Sequence, residues 1–172
     1  MEVSIRPWAK GDEKELAIQA NNKNIFNNVL DYFPHPYTLD EAKKWIKFNS
    51  KIDPALNMAI LVDGKIAGGI GAKPKEDVYR KNMEVGYFLG EQYWGKGITS
   101  IALRKYVEYL FNTFDITRLY APVFEFNVAS QRVLEKVGFR KEAVLKKSVI
   151  KNNVYHNEVI YALLKEEFKL QN

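Results

Sequence analysis

A mixed α/β fold with a mixed sheet is the class that this sequence predicts, and two hairpin signatures and one strand-loop-helix-strand stretch carry the prediction. Asp63-Gly64 and Asn152-Asn153 each separate two β-rich runs, and residues 83–124 read as strand, glycine-bearing loop, long helix and second strand. Hairpins make antiparallel neighbours while a helical crossover permits parallel ones, so together they call for a sheet of both kinds.

Val3 to Arg6 is the first short strand. Asp12, with Glu15 three residues on, predicts a capping box, in which each side chain satisfies an orphan amide of a new helix. The asparagine-rich stretch Asn21 to Asn28 reads as irregular, followed by the turn Phe33-Pro-His-Pro-Tyr37. Thr38 and Glu41 repeat the capping pattern ahead of a helix whose apolar face is Ala42, Trp45, Ile46 and Phe48. Trp45 and Trp8 read as core residues.

Asn57 to Val62 and Lys65 to Gly71 then form a hairpin about Asp63-Gly64, the dipeptide that readily supplies two positive φ angles. A charged loop, Lys73 to Lys81, leads to the strand Met83 to Leu89. Period-two alternation sends Met83, Val85, Tyr87 and Leu89 one way and Glu84, Gly86 and Phe88 the other. Ile98 to Phe114 is the longest helix, with Ala102, Leu103, Tyr106, Leu110 and Phe114 at helical spacing. The strand Ile116 to Phe124 contains Pro122, which lacks an N–H and belongs where a ladder position is unpaired. Asn127 opens a short helix that stops at Gly138. Phe139 to Lys151 and Val154 to Leu164 close the chain as a hairpin about Asn152-Asn153.

Composition narrows the chemistry. At 172 residues, 47% hydrophobic and 27% charged, the chain fits one globular domain over residues 1–172 and is too apolar for disorder. It has no cysteine and only His35 and His156, which excludes disulfides, thiolate metal cages and a cysteine nucleophile and argues against a histidine-built zinc site. Lys and Arg exceed Asp and Glu by 26 to 21, a net +5 that favours anionic ligands. The lysines are scattered, so a nucleic-acid partner is not expected. Glu2, Arg6 and Lys10 interrupt any leader-like apolar stretch and no run is long enough to span a bilayer, giving the expectation of a cytoplasmic protein without a membrane partner.

The chemistry centres on Gly90-Glu-Gln-Tyr-Trp-Gly95-Lys-Gly97-Ile-Thr99. A glycine-bearing turn feeding a helix N-terminus leaves several backbone N–H groups aimed at one spot, where the helix dipole favours an anion. Phosphate binding follows, with chain reversal alone as the plainer alternative. Gly90 and Gly95-Lys96 come close to a nucleotide-binding phosphate loop, but Gly97 stands where Ser or Thr must ligate magnesium. A nucleotidase reading therefore lacks its metal ligand.

Gln92-Tyr-Trp-Gly95-Lys-Gly97-Ile98, preceded by Glu84-Val-Gly-Tyr-Phe-Leu89 and followed by Asn127-Val-Ala-Ser130 through Gly138-Phe139, resembles the acetyl-CoA site of the GNAT N-acetyltransferase superfamily. Phe33-Pro-His-Pro-Tyr-Thr-Leu-Asp-Glu-Ala42 and Tyr161-Ala-Leu-Leu164 resemble its ribosomal-protein-alanine N-acetyltransferase branch, of the RimJ/RimL type. The resemblance implies the GNAT fold: a mostly antiparallel twisted sheet with a central splayed parallel pair and helices on both faces. It implies acetyl-CoA as cosubstrate, with no metal. Main-chain groups from Gln92, Tyr93, Trp94, Gly95, Lys96, Gly97, Ile98 and Thr99 would hold the diphosphate. Phe88 and Leu89 would meet the pantetheine arm between the strands Met83–Leu89 and Ile116–Phe124.

Direct transfer to a primary amine is then required, since no cysteine can carry the acetyl group. An α-amine of pKa near 8 costs only about 1 kcal/mol to deprotonate at pH 7, a lysine roughly 4 to 5. Glu84 resembles the family's base, the alternative being a surface carboxylate paired with a lysine. An N–H near Tyr87 or Phe88 would hold the oxyanion. Asn127 and Ser130 match family positions beside the thiol, Ser130 as an optional acid; Asn127 is equally a good N-cap. Tyr155 and His156 could line the acceptor groove, as could residues 24–37. Ile101 and Asn157 depart from the branch, which often has Glu and Asp there, and leave the acceptor open between a protein N-terminus and a small amine. A non-catalytic acyl-CoA sensor or partner-binding subunit is the alternative function, and either a monomer or a homodimer is compatible.

Overall fold

The structure is a computed structural model describing residues 1–169. Seven strands hydrogen-bond in the order β1-β2-β3-β4-β5-β7-β6, every neighbouring pair antiparallel except β4 with β5. These are β1 (Val3–Pro7), β2 (Asn57–Val62), β3 (Lys65–Pro74), β4 (Asn82–Leu89), β5 (Arg118–Phe124), β6 (Arg140–Lys151) and β7 (Val154–Leu164). Six helices accompany them: α1 (Glu13–Ala20), α2 (Lys23–Phe26), α3 (Leu39–Asn49), α4 (Ile98–Thr113), α5 (Val128–Val137) and α6 (Lys165–Lys169). The chain divides into two compact units, one of Met1–Gly71 with Tyr87–Lys105, the other of Ala72–Gly86 with the chain from Tyr106 onward.

In the first unit the β2–β3 turn adopts the two positive φ angles that its sequence asks for, 47° at Asp63 and 78° at Gly64. Trp8, Leu16, Ala20, Tyr37, Ala42, Ile46, Ala59, Leu61 and Ile66 form the core, with Phe33 and Phe88 packed against it. Gly68 is dictated by close approach: a Cβ there would stand 2.2 Å from the Phe88 carbonyl oxygen.

Four expectations for this unit change. The Asp12/Glu15 capping box does not form: Asp12 accepts from Arg6 Nη1 at 2.7 Å, Arg6 Nη2 at 2.8 Å and Ala9 N at 2.8 Å, while Glu15 accepts from Ile66 N at 3.0 Å. A cationic partner out-competes the local amides for the carboxylate. The stretch expected to be irregular contains α2, because the Asn22 side chain accepts from Asn24 N and Ile25 N and nucleates a turn. Thr38 caps α3 by accepting from Glu41 N, but Glu41 turns to Lys44 instead of closing the box. The buried face of α3 is Ala42, Ile46 and Asn49, leaving Trp45 and Phe48 exposed; Trp8 is buried as expected.

In the second unit β4 and β5 run parallel with Asn82, Met83 and Glu84 opposite Arg118, Leu119 and Tyr120. Pro122 lies two residues past that register and faces Ile160 of β7. Gly138 ends α5 at φ 102°, and Asn152 and Asn153 make the last turn with φ of 52° and 62°. β3 runs on to Pro74 and a 3₁₀ turn covers Asp77–Tyr79, so the expected charged loop is shorter than residues 73–81. α6 follows β7, with Phe168 5.9 Å from Phe111 and Lys165 Nζ donating to the Phe111 carbonyl.

Candidate active site

Two groups of predicted residues are described in turn, one in each unit. The first is the turn from β4 into α4. Gly90 N donates to the Ala67 carbonyl at 2.7 Å, Glu91–Tyr93 forms a 3₁₀ turn, and the Trp94 indole N–H donates to the Leu89 carbonyl at 2.7 Å. Glu91 is fixed by the Asn22 and Asn24 amides, at 2.6 Å and 3.0 Å. This scaffold sets Gly95 at φ 72° and Gly97 at φ 73°, a region that favours glycine, with nothing within 4 Å of a Cβ built at either. The first helical bond of α4 runs from Ile101 N to the Gly97 carbonyl, so the amides of Ile98, Thr99 and Ser100 open the helix without an intrahelical acceptor. Gly95, Lys96 and Gly97 are exposed and Ile98 is buried, anchoring the helix start. Open space over two left-handed glycines, at a helix N-terminus beside a lysine, suits a diphosphate.

Some predicted groups here already have work. Lys96 Nζ bonds the Gln92 carbonyl at 2.9 Å and Gln92 Nε2 the Gln19 amide oxygen at 3.3 Å. The Phe88 ring meets Phe33 edge-on at 5.3 Å, which leaves its main chain as the part a ligand could use.

The second group surrounds Glu84. Lys75 Nζ and Tyr120 OH both donate to Glu84 Oε2 at 3.0 Å, leaving Oε1 with neither. The ion pair that the sequence offered as the plainer alternative thus exists, with the side chains 31% and 26% exposed. Hydrogen bonds to Tyr120 and then to Glu84 push the Lys75 ammonium up, and burial pushes the Tyr120 hydroxyl up. Lys75, Tyr79, Asn82, Arg118, Tyr120 and Ile160 line an open cavity of about 500 Å³. Arg118 makes a two-pronged pair with Glu142, at 2.8 and 2.6 Å. The cavity's two cations are therefore already paired.

Asn127 Oδ1 accepts from Ser130 N at 3.1 Å, capping α5 and bringing these two predicted residues together. Asn157 is likewise engaged, bonding Glu125 and Lys147 N. Tyr155 is exposed, and His156 meets Phe126 edge-on at 4.7 Å. Sequence reasoning missed Lys75 and Tyr120, the two partners of Glu84. Tyr120 stands opposite Glu84 in the parallel register, a pairing that strand order sets and local sequence does not.

Comparison with known proteins identifies the family. A family model described as an acetyltransferase (GNAT) domain matches residues 2–140. The chain belongs to the GNAT acetyltransferase family. It is 32% identical to the putative ribosomal N-acetyltransferase YdaF of Bacillus subtilis (strain 168), over 97% of this chain and 93% of that protein. In fold it is similar to RimL, a ribosomal L7/L12 alpha-N-protein acetyltransferase solved with coenzyme A, at TM-score 0.83 and 23% identity over 94% and 93% of the two chains. It is similar also to a spermidine N-acetyltransferase from Vibrio cholerae solved with CoA and spermine, at TM-score 0.81 and 18% identity over 97% and 98%. The predicted GNAT family and fold class and the acetyl-CoA-dependent acyltransferase activity are thereby borne out, and the relative named as a putative ribosomal N-acetyltransferase matches the expected resemblance to the ribosomal-protein branch. Among the described residues no helix is long and apolar enough to cross a membrane, and no group of three His, Asp or Glu could hold a metal ion.

Proposed function

We propose that this GNAT acetyltransferase, acting as one domain, moves an acetyl group directly to the α-amine of a protein or peptide N-terminus. The observation that carries the reading is the near full-length likeness to a relative named as a putative ribosomal N-acetyltransferase. Bound acetyl-CoA supplies an activated thioester carbonyl with a good leaving group. The chain's own residues supply the rest. The backbone of Gln92 to Thr99 grips the diphosphate, with Lys96 adding charge, and the main chain at Phe88 and Leu89 lines the pantetheine arm. Glu84 Oε1, the oxygen that neither Lys75 nor Tyr120 occupies, takes the amine proton directly or through water. A main-chain N–H near Tyr87 or Phe88 holds the developing oxyanion. Asn127 and Ser130 sit at the α5 N-terminus, Ser130 as proton donor to the departing thiolate.

An α-amine is the economical acceptor for such a base. About 1 kcal/mol deprotonates it at pH 7, against roughly 4 to 5 for a lysine. Steady-state rates with peptides bearing a free or a blocked N-terminus, beside spermidine, test the reading. Transfer confined to the free α-amine supports it, whereas spermidine preferred over every peptide overturns it. Glu84→Gln should lower kcat at neutral pH and leave CoA affinity unchanged.

A further inference from the structure

We propose that Glu158 is a second carboxylate of the acceptor site, the one that receives the acceptor's ammonium group and takes the proton that frees its lone pair, ahead of the proton that Glu84 takes as the C–N bond forms. The proposal rests on the reading of this chain as an amine acetyltransferase and adds a residue to that reading. Its basis is register. Along β5, Tyr120, Pro122 and Phe124 share one face, and their β7 partners Ala162, Ile160 and Glu158 share it with them. Glu84 joins that face through its parallel partner Tyr120, whose hydroxyl it holds. Ile160 lines the cavity with Tyr120, and Glu158 is the next residue along β7 on that side.

The two carboxylates differ in what holds them. Glu84 is engaged by an ammonium and a phenol, both on Oε2. No donor among the described residues reaches the Glu158 carboxylate, which is half-buried opposite Phe124 on one side and Leu145 on the other. Burial first, and then the charge of Glu84, raise its proton affinity above that of an ordinary glutamate. A half-buried carboxylate with a raised proton affinity and no cation of its own is better suited to accept a proton from an ammonium than one already neutralised by lysine. The other charged or titratable groups on or flanking that face are Lys75 just past β3, Arg118 and Tyr120 of β5, Arg140, Glu142 and Lys147 of β6 and His156 of β7.

The step balances without any further reactant. One ammonium N–H bond breaks and its proton goes to a Glu158 oxygen. The freed nitrogen lone pair forms the C–N bond to the thioester carbonyl carbon, the C–S bond breaks with its electron pair passing to sulfur, and the nitrogen's second proton passes to Glu84 and, through water and Ser130, on to that sulfur. Amide and thiol result, and Glu158 returns its proton to water.

The test compares the full chain with Glu158→Gln, Glu158→Asp and Glu84→Gln, using spermidine and a peptide with a free α-amine as acceptor probes. Glu158→Gln should raise the amine KM about tenfold or more, from the loss of a charged hydrogen bond, and abolish the acid-side inflection of the kcat/KM pH profile. CoA affinity by calorimetry should stay within about twofold, Glu158→Asp should restore part of the loss, and Glu84→Gln should move the inflection to lower pH. An unchanged KM and profile in Glu158→Gln overturns the proposal and leaves the acetyltransferase reading intact. If the wild type acetylates neither probe, it is the acceptor reading that fails, and Glu158 is then judged by its carboxyl ¹³C titration, which needs no acceptor. A Glu158 that titrates as an ordinary glutamate, or is indifferent to Glu84→Gln, overturns the proposal; a raised titration that falls in Glu84→Gln upholds it.

Discussion

Gly97→Ala isolates what the β4–α4 turn contributes. At Gly97 φ is 73° and nothing lies within 4 Å of an added Cβ, so the methyl meets no neighbour and the whole cost is conformational. Holding an alanine in the left-handed region costs roughly 1–2 kcal/mol. In the free protein the exposed turn can relax away from that strain. Gripping a diphosphate requires the positive φ that aims the amides, so the strain falls on binding and CoA affinity should drop about 5- to 30-fold. Gly64→Ala is the matched control: its φ is 78°, also with open space, but it sits in a hairpin whose register, Val62 opposite Lys65, fixes the turn. There the same strain is present whether or not ligand binds, so Tm should fall by about 2–8 °C with CoA affinity unchanged. Calorimetry with CoA and thermal denaturation of both variants read the two outcomes. A Gly97→Ala protein that is folded and binds CoA as the wild type does would refute the assignment of these amides to the diphosphate.

Asp12→Asn should cost about 1–2 kcal/mol at pH 7, the lower part of the range for charged hydrogen bonds because Arg6 is partly exposed. Burial alone would push the Asp12 carboxyl up, but the Arg6 and Ala9 hydrogen bonds outweigh it and leave the group below its usual value. Its contribution is therefore full above about pH 4 and is lost as pH falls through the folded-state value, so urea denaturation should show the gap between wild type and variant closing towards pH 3. Gly68→Ala drives a methyl against the Phe88 carbonyl and the Leu89 backbone and should destabilise by about 2–3 kcal/mol; a wild-type Tm would contradict that close approach. Asn127→Asp keeps a carboxylate cap for Ser130 N and should hold Tm while weakening CoA binding several-fold, whereas Asn127→Ala should also lose about 1 kcal/mol of stability. Unchanged CoA affinity in both would confine Asn127 to capping.

What the sequence made legible was chemistry settled within a few residues. Asp63-Gly64, Asn152-Asn153 and Gly138 take the positive φ angles that their types allow, and Asn127 caps the helix it opens. The turn at Gly95 and Gly97 belongs to the same class. Asp12 was misread because its capping role depended on a rival outside the local window, and Arg6, brought back by the end of β1, won the carboxylate. Trp45 has helical spacing with Ala42 and Ile46, yet the face of α3 that meets the core continues to Asn49. The surroundings of Glu84 were the least legible. Lys75 looked like one of many loop lysines, and Glu158 like one more polar position on a terminal hairpin. Their meaning comes from strand order and register, which bring β3, β4, β5 and β7 side by side.

Direct acetyl transfer to an amine is the central claim, and the fate of a labelled acetyl group tests it most directly. Wild-type protein mixed with [¹⁴C]acetyl-CoA and a peptide bearing a free α-amine should place the label on the peptide, release one CoA thiol for each acetyl moved, and leave none on the protein. Label retained on the protein, or CoA bound with no acetyl moved to any amine offered, would contradict the account.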